Sequence, residues 1–175
     1  MRACGRRRRQ RGWSQLELVV SLALLAIFLA VFLERFQYYQ EAAEKAALDM
    51  TVANMRTGLR YKVADLIMND RVSEIPTLAD ENPVTWLQAP PENYLGEFDG
   101  PPQESPAGKW YFDRKTRQLV YTVNKRRHFV PPPGGDFSVR YRAERVQAAA
   151  GASAPAGGPR AWVRLEEVGN HAWLP

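Results

Sequence analysis

A chain of 175 residues has room for one compact domain with an appendage, which excludes most large enzyme folds. Hydrophobic residues make up 45% and charged residues 25%, and the mean hydropathy of −0.42 excludes a polytopic membrane protein while leaving room for a single span. The formal charge of +5 is a property of the front end: Arg2, Arg6, Arg7, Arg8, Arg9 and Arg11 are six of the 24 Lys and Arg, and removing them leaves 18 against 19 Asp and Glu. A near-neutral body argues against nucleic acid as the main partner.

Residues 1–12 therefore read as a basic leader. Cys4 is the only cysteine, so the body forms no disulfide of its own. No proline precedes Pro76, and Gly58 is the only glycine between residues 13 and 75, so this stretch can be one uninterrupted helix. Its first part, Leu16 to Leu33, reads LELVVSLALLAIFLAVFL, with only Glu17 and Ser21 not apolar. Eighteen residues at about 1.5 Å each span about 27 Å, close to the hydrocarbon thickness of a bilayer. The arginines before it should stay cytoplasmic, which sends the rest of the chain across the membrane. A cleaved secretory signal would end in small residues, but this run ends in FLAVFLERFQYYQ and continues as helix.

Glu17 is the most informative residue of the span. A carboxylate carried towards the bilayer centre costs up to about 2.5–3.5 kcal/mol, so it needs a partner, a function, or a route to the headgroups. It stands in the string Gly12-Trp13-Ser14-Gln15-Leu16-Glu17-Leu18-Val19-Val20, directly after the leader. Basic leader, glycine, aromatic residue, acid and apolar run, in that order, resemble the N-terminal signature of the type IV pilin-like proteins, which include pilins and the pseudopilins of type II secretion.

The resemblance covers about the first forty residues and implies several expectations. Prepilin peptidase would cut between Gly12 and Trp13 and methylate the new amine of Trp13. Glu17 would pair with that amine on a neighbouring subunit and set register. The partners would be other pilin-like subunits, the inner-membrane assembly platform and membrane lipid. The chain would be a minor pseudopilin or minor type IV pilin, single-pass in the inner membrane with its C-terminal domain in the periplasm, and not an enzyme. An uncleaved, membrane-anchored binding or adaptor domain is the alternative. Trp13 stands where phenylalanine or methionine is usual, Gln15 is polar where the family is apolar, and Glu34 replaces a helix-bending proline, which implies a straighter helix.

The segment 13–34 is thus the expected membrane and filament-core helix, and 35–70 its amphipathic continuation. Glu41 precedes Lys45 by four residues, a spacing that favours an ion pair along the helix. Leu48, Val52, Met55, Leu59, Val63 and Leu66 recur at steps of three and four, forming a stripe about 80° wide that should pack on a sheet. The helix should end near Asn69-Asp70.

Residues 71–108 are rich in proline and read as a connector, with one short helical turn near Val84 to Leu87 and Trp86, Tyr94 and Phe98 holding it down. Residues 109–175 read as a β-meander. Trp110–Asp113 and Leu119–Val123 flank Arg114-Lys115-Thr116-Arg117 as a hairpin. Phe137–Arg142 alternates apolar and polar residues, and Trp162–Leu165 is a further strand. Pro131 to Gly135 is a stiff turn, and 148–159 is a flexible loop. The fold class is α+β: one long N-terminal helix, packed in its second half on a small antiparallel sheet of three to four strands.

No catalytic motif stands out. His128 and His171 are not spaced as metal ligands, so no metal or cofactor is expected, and Asp136, Glu166 and Glu167 form no recognisable calcium loop. The basic residues Lys125 to Arg127 and Arg140, Arg142 and Arg145 are expected on a solvated sheet face, with single-stranded nucleic acid the less favoured reading.

Overall fold

The computed structural model describes residues 14–104, 106–147 and 161–173. The chain falls into two compact units, residues 1–40 and 41–175. Helix α1, Gln15–Met68, begins in the first and ends in the second. It starts behind Ser14 and stops where the sequence places its end: Asp70 adopts a left-handed φ of 57°, Arg71 N–H donates to Leu66 O at 2.8 Å, and Asp70 N–H donates to Ile67 O at 3.2 Å. These crossed bonds are a Schellman closure, built on an aspartate rather than the usual glycine.

The second unit is α+β. The stripe residues Leu48, Val52, Met55, Leu59, Val63 and Leu66 are all buried and share one core with Trp110, Leu119, Tyr121, Val139, Tyr141 and Leu165 of the sheet. Seven strands are present among the described residues: β1 Tyr94–Phe98, β2 Lys109–Asp113, β3 Gln118–Thr122, β4 Phe129–Val130, β5 Ser138–Gln147, β6 Ala161–Val168 and β7 Ala172–Trp173. The main sheet runs β1-β2-β3-β5-β6, with β4 and β7 paired apart from it. The expected loop 148–159 lies outside the described residues.

The sheet departs from the expected three- or four-stranded antiparallel meander. It has five strands and is mixed, because β1 lies parallel to β2 while β2-β3, β3-β5 and β5-β6 are antiparallel. The additional strand comes from the end of the connector. Its register passes from Tyr94↔Trp110 to Glu97↔Phe112, three residues against two, and Gly96 takes up the surplus as a bulge at φ 115°.

The rest of the connector also carries more structure than one turn. Residues Val72–Asp80 and Pro83–Trp86 form 3-10 helices, the first burying Ile75 and Leu78. Asn82 caps the second by accepting the Val84 N–H at 3.0 Å, and its amide donates to Tyr94 Oη and Glu97 Oε1, each at 2.8 Å. Trp86 is buried, Tyr94 is packed against the core, and Phe98 meets Tyr111 edge-on. Gly58 is what lets this segment approach α1: a Cβ there would overlap the Trp86 carbonyl. The hairpin loop Arg114–Arg117 forms as expected, with Asp113 accepting the Lys115 N–H at 2.9 Å and the Thr116 hydroxyl at 2.8 Å.

Candidate membrane-anchoring and assembly segment

Ser14 opens α1. Its carbonyl accepts the Leu18 N–H at 3.1 Å and its Oγ accepts the Glu17 N–H at 3.2 Å. Ser14 is therefore the N-cap and Glu17 stands three residues into the helix, where a negative charge also faces the positive end of the helix dipole. This local role of Glu17 follows from the Ser-x-x-Glu spacing and was missed in the sequence. The Glu17 carboxylate is exposed and has no hydrogen bond or ion pair among the described residues. Gly12 and Trp13 lie outside the described residues.

Behind Glu17 the helix surface is apolar on every side. Leu16, Leu18, Val19, Val20, Leu22 and Leu24 are all at least 50% exposed, and the pattern continues to Leu33. No side of such a helix is polar enough to face water, and its length and composition suffice to cross a membrane. Phe32 stacks on Phe36 with ring centroids 5.9 Å apart, and exposed Tyr38 and Tyr39 follow. Aromatic residues at the end of an apolar run suit a headgroup boundary.

In the second unit α1 does something the sequence did not announce. Glu41 is 1% exposed. Its carboxylate accepts the His128 backbone N–H at 2.9 Å and the Trp173 indole N–H at 3.1 Å, and lies 2.6 Å from His128 Nδ1. Burial by itself would raise this carboxyl, but the hydrogen bonds from His128 and Trp173 and the His128 charge outweigh it and hold the group below its ordinary value. Glu44, one turn on, accepts the Tyr121 hydroxyl at 2.9 Å and the backbone N–H groups of Asn124 and Lys125 at 2.7 and 2.8 Å. The expected Glu41–Lys45 pair is absent: Lys45 Nζ donates to the Trp173 carbonyl at 2.7 Å instead. Two helix acids thus fasten the segment after β3, and Glu41 and Lys45 together fasten β7. The one available signal was the acidic spacing of Glu41 and Glu44, which reads equally well as a solvated helix face.

Four of the basic residues singled out in the sequence, Arg126, Arg140, Arg142 and Arg145, are tied down within the domain. Arg126 lies over the Phe137 ring at 4.9 Å and donates to Val123 O, and Arg140 pairs with Asp136 at 2.9 Å. Arg142 donates to Thr116 O, and Arg145 to Asp80 and Pro76 O. Glu166 pairs with Arg164, and Glu167 with His171 at 3.0 Å. Among the described residues no cluster of His, Cys, Asp and Glu is arranged to hold a metal ion. No protein-family model, curated protein or solved structure matches the chain.

Proposed function

We propose that the chain is a structural subunit of a pilus-like filament, a minor pseudopilin of type II secretion or a minor type IV pilin. It enters the inner membrane through α1 with the arginine leader in the cytoplasm and the second unit in the periplasm. Prepilin peptidase cuts after Gly12 and methylates Trp13, and the chain then joins other pilin-like subunits through the apolar helix with the help of an inner-membrane platform. It performs no catalysis.

The observation that carries this reading is the placement of Glu17: an exposed carboxylate, without a partner among the described residues, at the head of a helix that is apolar all round. In lipid or in a bundle of apolar helices such a charge needs a cation, and the Trp13 amine of a neighbouring subunit, created by removal of the leader, supplies one. The same segment then serves as lipid anchor before assembly and as filament core after it.

The half capping box from Ser14 supports a second reading, a plain membrane anchor in which Glu17 only starts the helix. Two substitutions separate them. Glu17→Gln keeps a residue suited to that position but removes the charge, whereas Glu17→Ala removes both. Pairing predicts that both variants are processed and that both lose at least tenfold in filament incorporation, measured by immunoblot of sheared filaments. Wild-type incorporation of Glu17→Gln would leave the plain cap as the whole role of Glu17.

A further inference from the structure

The two edges of the main sheet differ. β1 is five residues long, bulged at Gly96 and soon followed by Pro101 and Pro102, features that blunt an edge. β6 is eight residues long, carries neither proline nor glycine, and keeps one unbroken register with β5. Which of its backbone groups face outward is fixed by the ladder. Val123 N–H donates to Phe137 O at 2.8 Å, which makes these two a hydrogen-bonded pair and, by alternation, Tyr121 with Val139 and Leu119 with Tyr141 as well. The residues between them in β5, Arg140, Arg142 and Glu144, therefore turn their backbone groups towards β6, where they meet Val168, Glu166 and Arg164. Val163, Leu165 and Glu167 are left facing away from the sheet.

Those three N–H groups meet no acceptor among the described residues. Of the three carbonyls, Leu165 O is met by Arg56 of α1, whose Nε and Nη2 each lie 3.3 Å away, at the long end of hydrogen bonding. Where this edge meets α1 there is an apolar groove of about 660 Å³, lined by Leu59, Val63 and Ile67 of the helix and by Val146, Trp162 and Leu165 of the sheet. Ile67, Val146 and Trp162 are exposed in it. On its helix side stand two guanidinium groups one turn apart, Arg56 and Arg60. Neither has a carboxylate partner among the described residues, and Glu166, the acid of the lining, is taken by Arg164.

We propose that this edge docks an extended acidic segment of a partner protein, which joins the sheet as a further strand beside β6. Free backbone groups at every second residue are complemented by another strand, because an extended chain presents its own N–H and C=O groups at the same spacing. The groove beside them takes apolar side chains of that strand, and the two unmatched guanidinium groups take its carboxylates, a pairing for which the planar fork of arginine is suited. Arg56 couples the two contacts. When an incoming N–H takes over Leu165 O, the Arg56 guanidinium is released to meet an incoming carboxylate. A basic segment would bring like charge against Arg56 and Arg60 and is disfavoured. The docking concerns the second unit alone and does not rest on the filament reading.

The test is fluorescence anisotropy on the full chain in nanodiscs of neutral phosphatidylcholine, with labelled peptides of the same eight-residue length as β6. One peptide alternates valine and glutamate, a second alternates valine and lysine, and a third is the glutamate peptide with every backbone amide N-methylated. The glutamate peptide should bind and slow hydrogen exchange across residues 163–167, read by mass spectrometry, and the other two should bind at least tenfold more weakly. Arg56→Glu should cost the glutamate peptide at least tenfold and turn the preference towards the lysine peptide. Arg60→Glu, at an exposed position of α1, should shift the preference the same way and keeps the test decisive where Arg56→Glu fails to fold. No binding, equal binding of the lysine or N-methylated peptide, unchanged exchange across 163–167, or undiminished binding by Arg60→Glu would overturn the proposal. Protection of 163–167 that rises with protein concentration in the absence of peptide would make a second copy the occupant. Peptide binding only after residues 148–160 are replaced by an Asn-Gly turn would make that segment the occupant, and either result overturns the assignment to a partner protein.

Discussion

Glu41 is a carboxylate that would be expensive to bury alone, and its environment shows how the cost is met. Three donors from His128 and Trp173 converge on it from segments far apart in sequence. Removing the acceptor leaves buried N–H groups without partners, at about 1–3 kcal/mol, so Glu41→Ala should destabilise the second unit by about that much in urea titration. Because the folded-state carboxyl lies below its ordinary value, its stabilisation is complete above the unfolded value near 4.5 and is lost as pH falls through the lower folded value. Thermal melts from pH 7 down to pH 3 should therefore show a steeper acid loss in the wild type than in Glu41→Gln. Equal slopes would remove the linkage. Glu17, by contrast, makes no such contact among the described residues, and its sequence neighbours rather than its packing single it out.

At the scale of elements, Gly58 tests how the connector is seated. In an exposed helix, glycine to alanine usually gains about 0.5–1 kcal/mol. Here the added methyl meets the Trp86 backbone, and overpacking of this kind costs about 1–3 kcal/mol. Gly58→Ala should lower the denaturation midpoint, and a raised midpoint would mean that the Pro83–Trp86 helix does not rest on α1.

Which elements could be read from the sequence follows from the same physics. α1 was legible from end to end because proline is absent and the apolar stripe keeps the helical period from Leu48 to Leu66. The β2–β3 hairpin was legible because two β-prone runs flank one polar loop, and β5 because Phe137 to Arg142 alternates. β1 was not, since its pairing is parallel, bulged at Gly96, and set among prolines that suggest irregular chain. The two-residue strands β4 and β7 are too short to carry any period. Their pairing is held by Glu41 and Lys45, contacts that span up to 132 residues and leave no local trace. The candidate assembly site rests on a linear string whose Gly12 and Trp13 lie outside the described residues, whereas Ser14 as the cap of α1 follows from the Ser-x-x-Glu spacing.

At the scale of the whole molecule, charge and apolar surface are separated along the chain. Six arginines precede the span, the span exposes apolar side chains on every side, and the basic residues of the second unit are largely engaged by their own neighbours. Loss of residues 1–12 would turn a basic chain into a near-neutral one and place a new ammonium four residues from Glu17. Under the proposed function, this change would link the leader, the acid and the exposed helix into one process of insertion, trimming and assembly. Gly12→Ala should block the trimming and leave the chain anchored but unassembled.

The most direct test is the intact mass of the full-length chain purified from cells that contain a prepilin peptidase, beside the same cells without it. The proposal predicts a chain that begins at a methylated Trp13 in the first case and retains the arginine leader in the second. A leader still attached in peptidase-containing cells would contradict it.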